Sequence, residues 1–279
     1  MTRLHHIFRI LLLGLPLHSA SANTLQLVLQ NGRYVPVSAL SLEADKFVVK
    51  TPVEGFNAGQ SIPFALANHI YGVKPAETNQ AIALLLSGKA KQAQTLLLPV
   101  VKEHAITAKI PGNFWLDAAR ALLVAYALDG DATSTTAIGK EISDATPAQG
   151  IDPFVTLGKA LLLPALTTKV EDREQALIDL TTDNLPADLR AYASYFRGSL
   201  LIKERKKTEA LDAFLSVPCL YPSGGLILNA ASELQAADLL TELKRREEAI
   251  ILLESALRVS SGTALATEAE NRLASLKEK

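Results

Sequence analysis

Hydrophobic positions along this chain keep one period for about fifty residues and then change to another. From Thr24 to about Tyr71 they alternate with polar or smaller residues, as a half-buried strand requires: Leu25, Leu27 and Leu29 lead out, and Tyr34, Val35 and Val37 return. Asn31-Gly32 between them supplies the positive backbone angles of a tight hairpin turn. Phe47-Val48-Val49 and Ile62-Pro63-Phe64 read as two further short strands, so four strands predict a small curled sheet. Gly55, Asn57 and Gly59 make one connection loose.

Beyond Pro75 apolar residues recur at helical spacing. Glu77 to His104 reads as a helix hairpin turning at Gly88, with a kink expected at Pro99. Asn113 to Asp144 gives a strongly apolar first helix (Trp115, Leu116, Ala119, Leu122, Leu123, Tyr126) and a turn at Asp129-Gly130-Asp131. Its second helix is poor, with Thr133, Thr135, Thr136 and Gly139 where apolar contacts are wanted. A third hairpin starts at Phe154-x2-Leu157-Gly158-x2-Leu161, and its second helix, Glu171 to Leu180, starts late, after a lengthened turn around Pro164 to Val170. The fourth occupies Tyr192 to Pro222 and the fifth runs from about Leu226 to Val259. A last helix, Thr263 to Lys277, is apolar on one side only, as a terminal cap needs to be.

In the fourth hairpin, Gly198, Leu201, Ala210, Phe214 and Pro222 stand at the offsets of a G-x2-Y…A-x3-F…P pattern. This stretch resembles a tetratricopeptide repeat. Gly198 and Ala210 let two helix backbones approach, Phe214 fills the groove between hairpins, and Pro222 ends the run. Arg197 departs from the pattern, which has an apolar residue before the glycine. The alanines Ala176, Ala210 and Ala249 recur at intervals of 34 and 39 residues, whereas Ala93 to Ala176 spans 83, room for the degenerate repeat. The resemblance implies a mainly α, right-handed solenoid of about five helix hairpins plus a capping helix, over residues 74–279. The module before it, residues 23–73, resembles Src-homology-3-like or Sm-like β-barrels, which often serve docking or oligomer contacts. It reads equally well as a cap on the first helix.

Arg3 and Arg9, the apolar run Ile10 to Leu17 and then Ala20-Ser21-Ala22 have the order of a secretory signal peptide over residues 1–22, with cleavage after Ala22. The run is far shorter than the ~20 residues of a membrane span. Export to the periplasm or beyond is therefore expected. Removal of Arg3 and Arg9 from the 28 basic side chains leaves 26 against 29 acidic ones, which offers no electrostatic footprint for nucleic acid. With 48% apolar residues the chain has ample material for a core. Cys219 stands alone, so no intramolecular disulfide can form, and it reads as a small buried hydrophobe.

Candidate chemistry is sparse. Outside the leader the histidines are His69, placed at a sheet-to-helix turn, and His104, placed at a helix end where a partly charged imidazole suits the dipole; neither has a metal or triad spacing around it. The acid pairs Glu171-Asp172 and Glu247-Glu248 open helices, where anions are favoured. The basic runs Lys203 to Lys207 and Lys244-Arg245-Arg246 close them, pointing to one end where an acidic partner or anionic lipid head groups could be met. No catalytic residue, cofactor site or metal site is assigned. The resemblance implies binding of a partner protein or peptide on the concave side, and with the export signal the chain reads as a non-enzymatic adaptor of the bacterial cell envelope. The family's groove positions fall on Tyr195, Ser199, Ile202 and Lys203 in the fourth hairpin and on Leu234, Asp238, Thr241 and Glu242 in the fifth. Two other readings stand beside it: an assembly unit that self-associates through the β-module, and an enzyme with a site at the β/α junction near Gly55–Gly59.

Overall fold

The computed structural model describes residues 25–146 and 151–278; the expected leader and its cleavage point lie outside them. Six short strands open the described chain: β1 (Gln26–Leu29), β2 (Tyr34–Pro36), β3 (Leu40–Glu43), β4 (Lys46–Val49), β5 (Ser61–Pro63) and β6 (Ala67–Tyr71). They form two antiparallel sheets, β2-β1-β6 and β3-β4-β5, and not the closed barrel expected. The reason lies in two matching corners. Pro36 and Pro63, both extended, each start a one-turn 3₁₀ segment, Val37–Ala39 and Phe64–Leu66, that carries the chain from one sheet to the other. Each sheet thus takes two strands from one half of the module and one from the other.

The first hairpin turns where expected, with Gly32 at φ 80° and the Asn31 side chain accepting from Arg33 N at 3.1 Å. Strands β3 and β6 escaped sequence reading because Ser41, Glu43, Asn68 and His69 interrupt their apolar pattern. His69 is accordingly a strand residue, opposite Val28, and not a turn residue. Leu27, Val35, Phe47, Ile62 and Ile70 fill the space between the sheets, joined by Ile110 from the helical part.

Eleven helices follow among the described residues: α1 (Ala76–Leu86), α2 (Ala90–His104), α3 (Trp115–Leu128), α4 (Ala132–Ala145), α5 (Pro153–Leu161), α6 (Val170–Ile178), α7 (Ala187–Lys203), α8 (Lys207–Leu220), α9 (Leu226–Glu242), α10 (Arg246–Val259) and α11 (Ala264–Lys277). The boundaries follow local chemistry. Gly88 and Gly130 turn at positive φ, Asp131 caps α4 through Ser134 N at 2.9 Å, and Asp152 caps α5 through Phe154 N at 2.9 Å. The threonine-rich segment is a full helix, since Thr135 returns its hydroxyl to Asp131 O at 2.7 Å and Gly139 admits the Val155 side chain. α2 runs on through Pro99 as one helix. Cys219, expected inside, is exposed near the end of α8, on the side turned from the core.

Consecutive helices pack as hairpins, and the first helices of the hairpins touch in succession: α1 on α3, α3 on α5, α5 on α7 and α7 on α9. α1 also packs on α9 and on α11, so the row closes on itself. At the best-patterned hairpin the physical reading holds: a Cβ on Gly198 would lie 2.8 Å from the Phe214 ring, and Phe214 is fully buried. Arg197, the departure from pattern, bonds Glu174 of α6 through Nε and Nη2 at 3.0 and 2.9 Å, which binds α7 to the preceding hairpin.

Candidate functional site

One stripe of α7 lines clefts near both of its ends. Asp188, Tyr192, Tyr195, Ser199 and Ile202 recur at three- and four-residue steps and therefore share one side of the helix. Asp188 and Tyr192 open into a cleft of about 430 Å³ at the N-terminal ends of α1, α3, α7 and α9. Ser199, Ile202 and Lys203 open into another of about 310 Å³ at the opposite mouth. Tyr195, 3% exposed, lines that same cleft and donates its hydroxyl to Leu86 O at 2.5 Å. That bond ties α7 to the end of α1.

The residues chosen from sequence therefore separate. Leu234 belongs to the core and its carbonyl accepts from Arg272 Nη1 at 3.1 Å, whereas Tyr195, itself buried, lines the 310 Å³ cleft. Ser199, Ile202 and Lys203 meet Leu86, Gly88, Gln235, Glu268 and Arg272 around the 310 Å³ cleft. Asp238, Thr241 and Glu242 line an adjoining cleft of about 470 Å³ with Leu253, Asn271 and the same Arg272. Arg272, from α11, also bonds Asp238 at 3.0 Å and Glu268 at 3.4 Å, while Glu242 pairs with Lys207 at 2.7 Å. Burial pushes the Asp238 carboxyl above the usual aspartate range, and Arg272 works against that push. Sequence reading missed Arg272 because nothing local marks it; only the docking of α11 against α9 brings it to the groove.

At the N-terminal mouth the ion pairs are tighter. Asp152, fully buried, accepts from Arg120 Nη2 at 2.6 Å and Nε at 3.3 Å; Arg120 Nη1 reaches Asp188 at 3.4 Å, and its guanidinium lies 4.7 Å from the Phe154 ring centroid. Lys74 bonds Asp117 at 2.7 Å. The Tyr192 ring packs between Phe154 and Phe196. Burial first, then the Asp117 and Asp188 carboxylates, raise the Tyr192 phenol well above its ordinary value, so it stays protonated. Asp152-Pro153 carries a helix-start signature in the sequence, but its partner Arg120 lies 32 residues earlier and no local pattern joins them.

A cleft of about 900 Å³ lies where the β-module meets α1 and α2, lined by Leu40, Lys50, Lys74, Glu77, Leu96 and His104 among others. The Gly55–Gly59 loop is not part of it; its Gly55 carbonyl and Phe56 ring instead hold the Arg33 head. His104 ends α2 as expected but is buried, with Nδ1 sealed from solvent and unpaired among the described residues. Desolvation outweighs the nearby Glu103 and lowers its pKa, so the charged imidazole expected at this helix end is disfavoured. Among the described residues no three His, Cys, Asp or Glu side chains are grouped to hold a metal, and no helix is long and apolar enough to cross a membrane. Compared with protein-family models, curated protein sequences and solved structures, the chain shows no significant match.

Proposed function

We propose that this protein is a non-enzymatic scaffold of the bacterial cell envelope that binds a partner protein or peptide at the mouth formed by the C-terminal ends of α1, α7 and α9. The observation that carries this reading is the convergence of Ser199, Ile202 and Lys203 from one hairpin with Asp238, Thr241 and Glu242 from the next around Arg272. Ile202 stays exposed there among charges of both signs, a polar rim about an apolar contact point. Tetratricopeptide-like packing and the leader-like first 22 residues support the scaffold class and the location. The test is cross-linked capture from native envelopes with wild-type protein, Lys203→Glu and Glu242→Lys. A partner held by the wild type and lost by either reversal, with unfolding temperatures unchanged, upholds the reading. A partner held equally by all three would remove this mouth from recognition.

A second reading, self-assembly through the β-module, is favoured by one feature. The outer face of sheet β2-β1-β6 sets Tyr34 and Tyr71, each 66% exposed, beside Val28 and Pro36. Sedimentation of the wild type across a hundredfold range of concentration decides it: a constant monomer mass sinks the idea, and a dimer abolished by Tyr34→Ser with Tyr71→Ser supports it.

A further inference from the structure

In the cleft at the N-terminal ends of α1, α3, α7 and α9 the acids are already answered within the protein. Asp152 takes Arg120 and Phe154 N, Asp188 takes Leu189 N at 2.9 Å and Arg120, and Asp117 takes Lys74. The donors are not used up. α9 starts after Gly225 at φ 120° with no side-chain cap and no acid in its first turn. The amides of Leu226, Ile227 and Leu228, all lining the cleft, lack the intrahelical partner that later residues have, and none is paired among the described residues. Arg120 directs three of its five N–H groups at Asp152 and Asp188, and Lys74 directs one of its three at Asp117.

An uncapped helix start is not in itself a binding site, but Tyr192 adds an independent sign. The residue is only 8% exposed and lines this cleft, and its hydroxyl, which is not among the sealed polar atoms, is open to the cleft with no hydrogen-bond partner among the described residues. Asp117, Asp188 and Asp152 against Lys74 and Arg120 leave one formal negative charge on the side chains. The helix ends that open here oppose it, each equivalent to roughly half a positive charge.

We propose that this cleft binds a carboxylate, received by the first amides of α9 and the Tyr192 hydroxyl and flanked by Lys74 and Arg120. Ile82, Phe154 and Ile227 form an apolar wall beside it. A volume of about 430 Å³ admits a carboxylate together with the one apolar side chain attached to it. Such a group is the end of a peptide chain or an N-acylated amino acid. The site is distinct from the C-terminal mouth and does not rest on the scaffold reading.

The experiment is calorimetric titration of the full-length protein with the tetrapeptide Ala-Ala-Ala-Leu as free acid, the same peptide as its C-terminal amide, and N-acetyl-leucine. The free acid is expected to bind saturably, and the amide at least tenfold more weakly. Tyr192→Phe keeps the ring and deletes the donor, and is expected to weaken the free acid about fivefold. Leu226→Pro removes one amide at a position where helices accept proline, and is expected to act similarly. Thermal unfolding of each variant controls for folding, and Tyr192→Phe decides alone if Leu226→Pro fails to fold. A peptide tighter than N-acetyl-leucine identifies a chain terminus as the source, and equal affinities identify the single acylated residue; both uphold the site. Acid and amide binding alike, no saturable binding up to millimolar concentrations, or unchanged affinity in the variants would overturn it.

Discussion

Gly198 shows how one missing Cβ sets a helix spacing. The Phe214 ring lies where that atom would be, at 2.8–2.9 Å from three ring carbons, and neither side can give way inside a buried contact. Gly198→Ala is expected to destabilise the fold by about 1–3 kcal/mol despite the better helix propensity of alanine, as read from the denaturant midpoint. Glu233 behaves differently. It is buried, takes Ser255 Oγ at 2.8 Å on one oxygen and leaves the other unpaired among the described residues, and burial raises its pKa above the ordinary 4.5. Because the folded pKa is the higher one, the folded state holds the proton longer. Stability is therefore greatest below the unfolded pKa and is lost as pH rises through the folded value. Glu233→Gln should gain on the wild type between pH 4 and pH 8 in chemical denaturation; a gap that stays constant would refute the assignment.

At the scale of elements, α11 acts as a clamp more than a cap. Its Arg272 holds Asp238, Glu268 and the Leu234 carbonyl, joining α9 to the last helix across the groove. Arg272→Met leaves the half-buried Asp238 without its cation and should cost about 1–3 kcal/mol. Amide exchange over 264–277 should quicken more than over α7, because α7 keeps its own ties through Tyr195 and Arg197.

For the whole molecule, packing crosses the change of period read at residues 73–74. Ile106 and Ile110, in the connection between α2 and α3, belong to the core of the β-module, and Ile70 N donates to Pro111 O at 3.0 Å. A chain starting at Pro75 would expose those isoleucines. Its melting temperature is expected to fall by roughly 5–10 °C relative to the full chain, from about 3 kcal/mol of lost burial. Two separate transitions in calorimetry of the full chain would argue that the parts fold independently.

Much of the fold was legible because it is written in short range. Period two and Asn31-Gly32 announced the first hairpin, and period 3.6 with Gly88, Gly130 and the Gly198…Phe214 spacing announced the helix pairs, since each depends on residues within one or two turns of each other. The helical faces were legible too: Ser199, Ile202 and Lys203 do emerge together. What a periodic pattern cannot express is where a row of hairpins ends up. The packing of α1 on α9 and α11 depends on small curvatures added over many helices, and with the rest of the tertiary packing it decided that the Tyr195 hydroxyl meets Leu86 O and that Arg120 meets an Asp 32 residues away. His104 and Cys219 illustrate the same division: sequence placed both near helix ends, but only the neighbours supplied by packing made the imidazole buried and the thiol exposed.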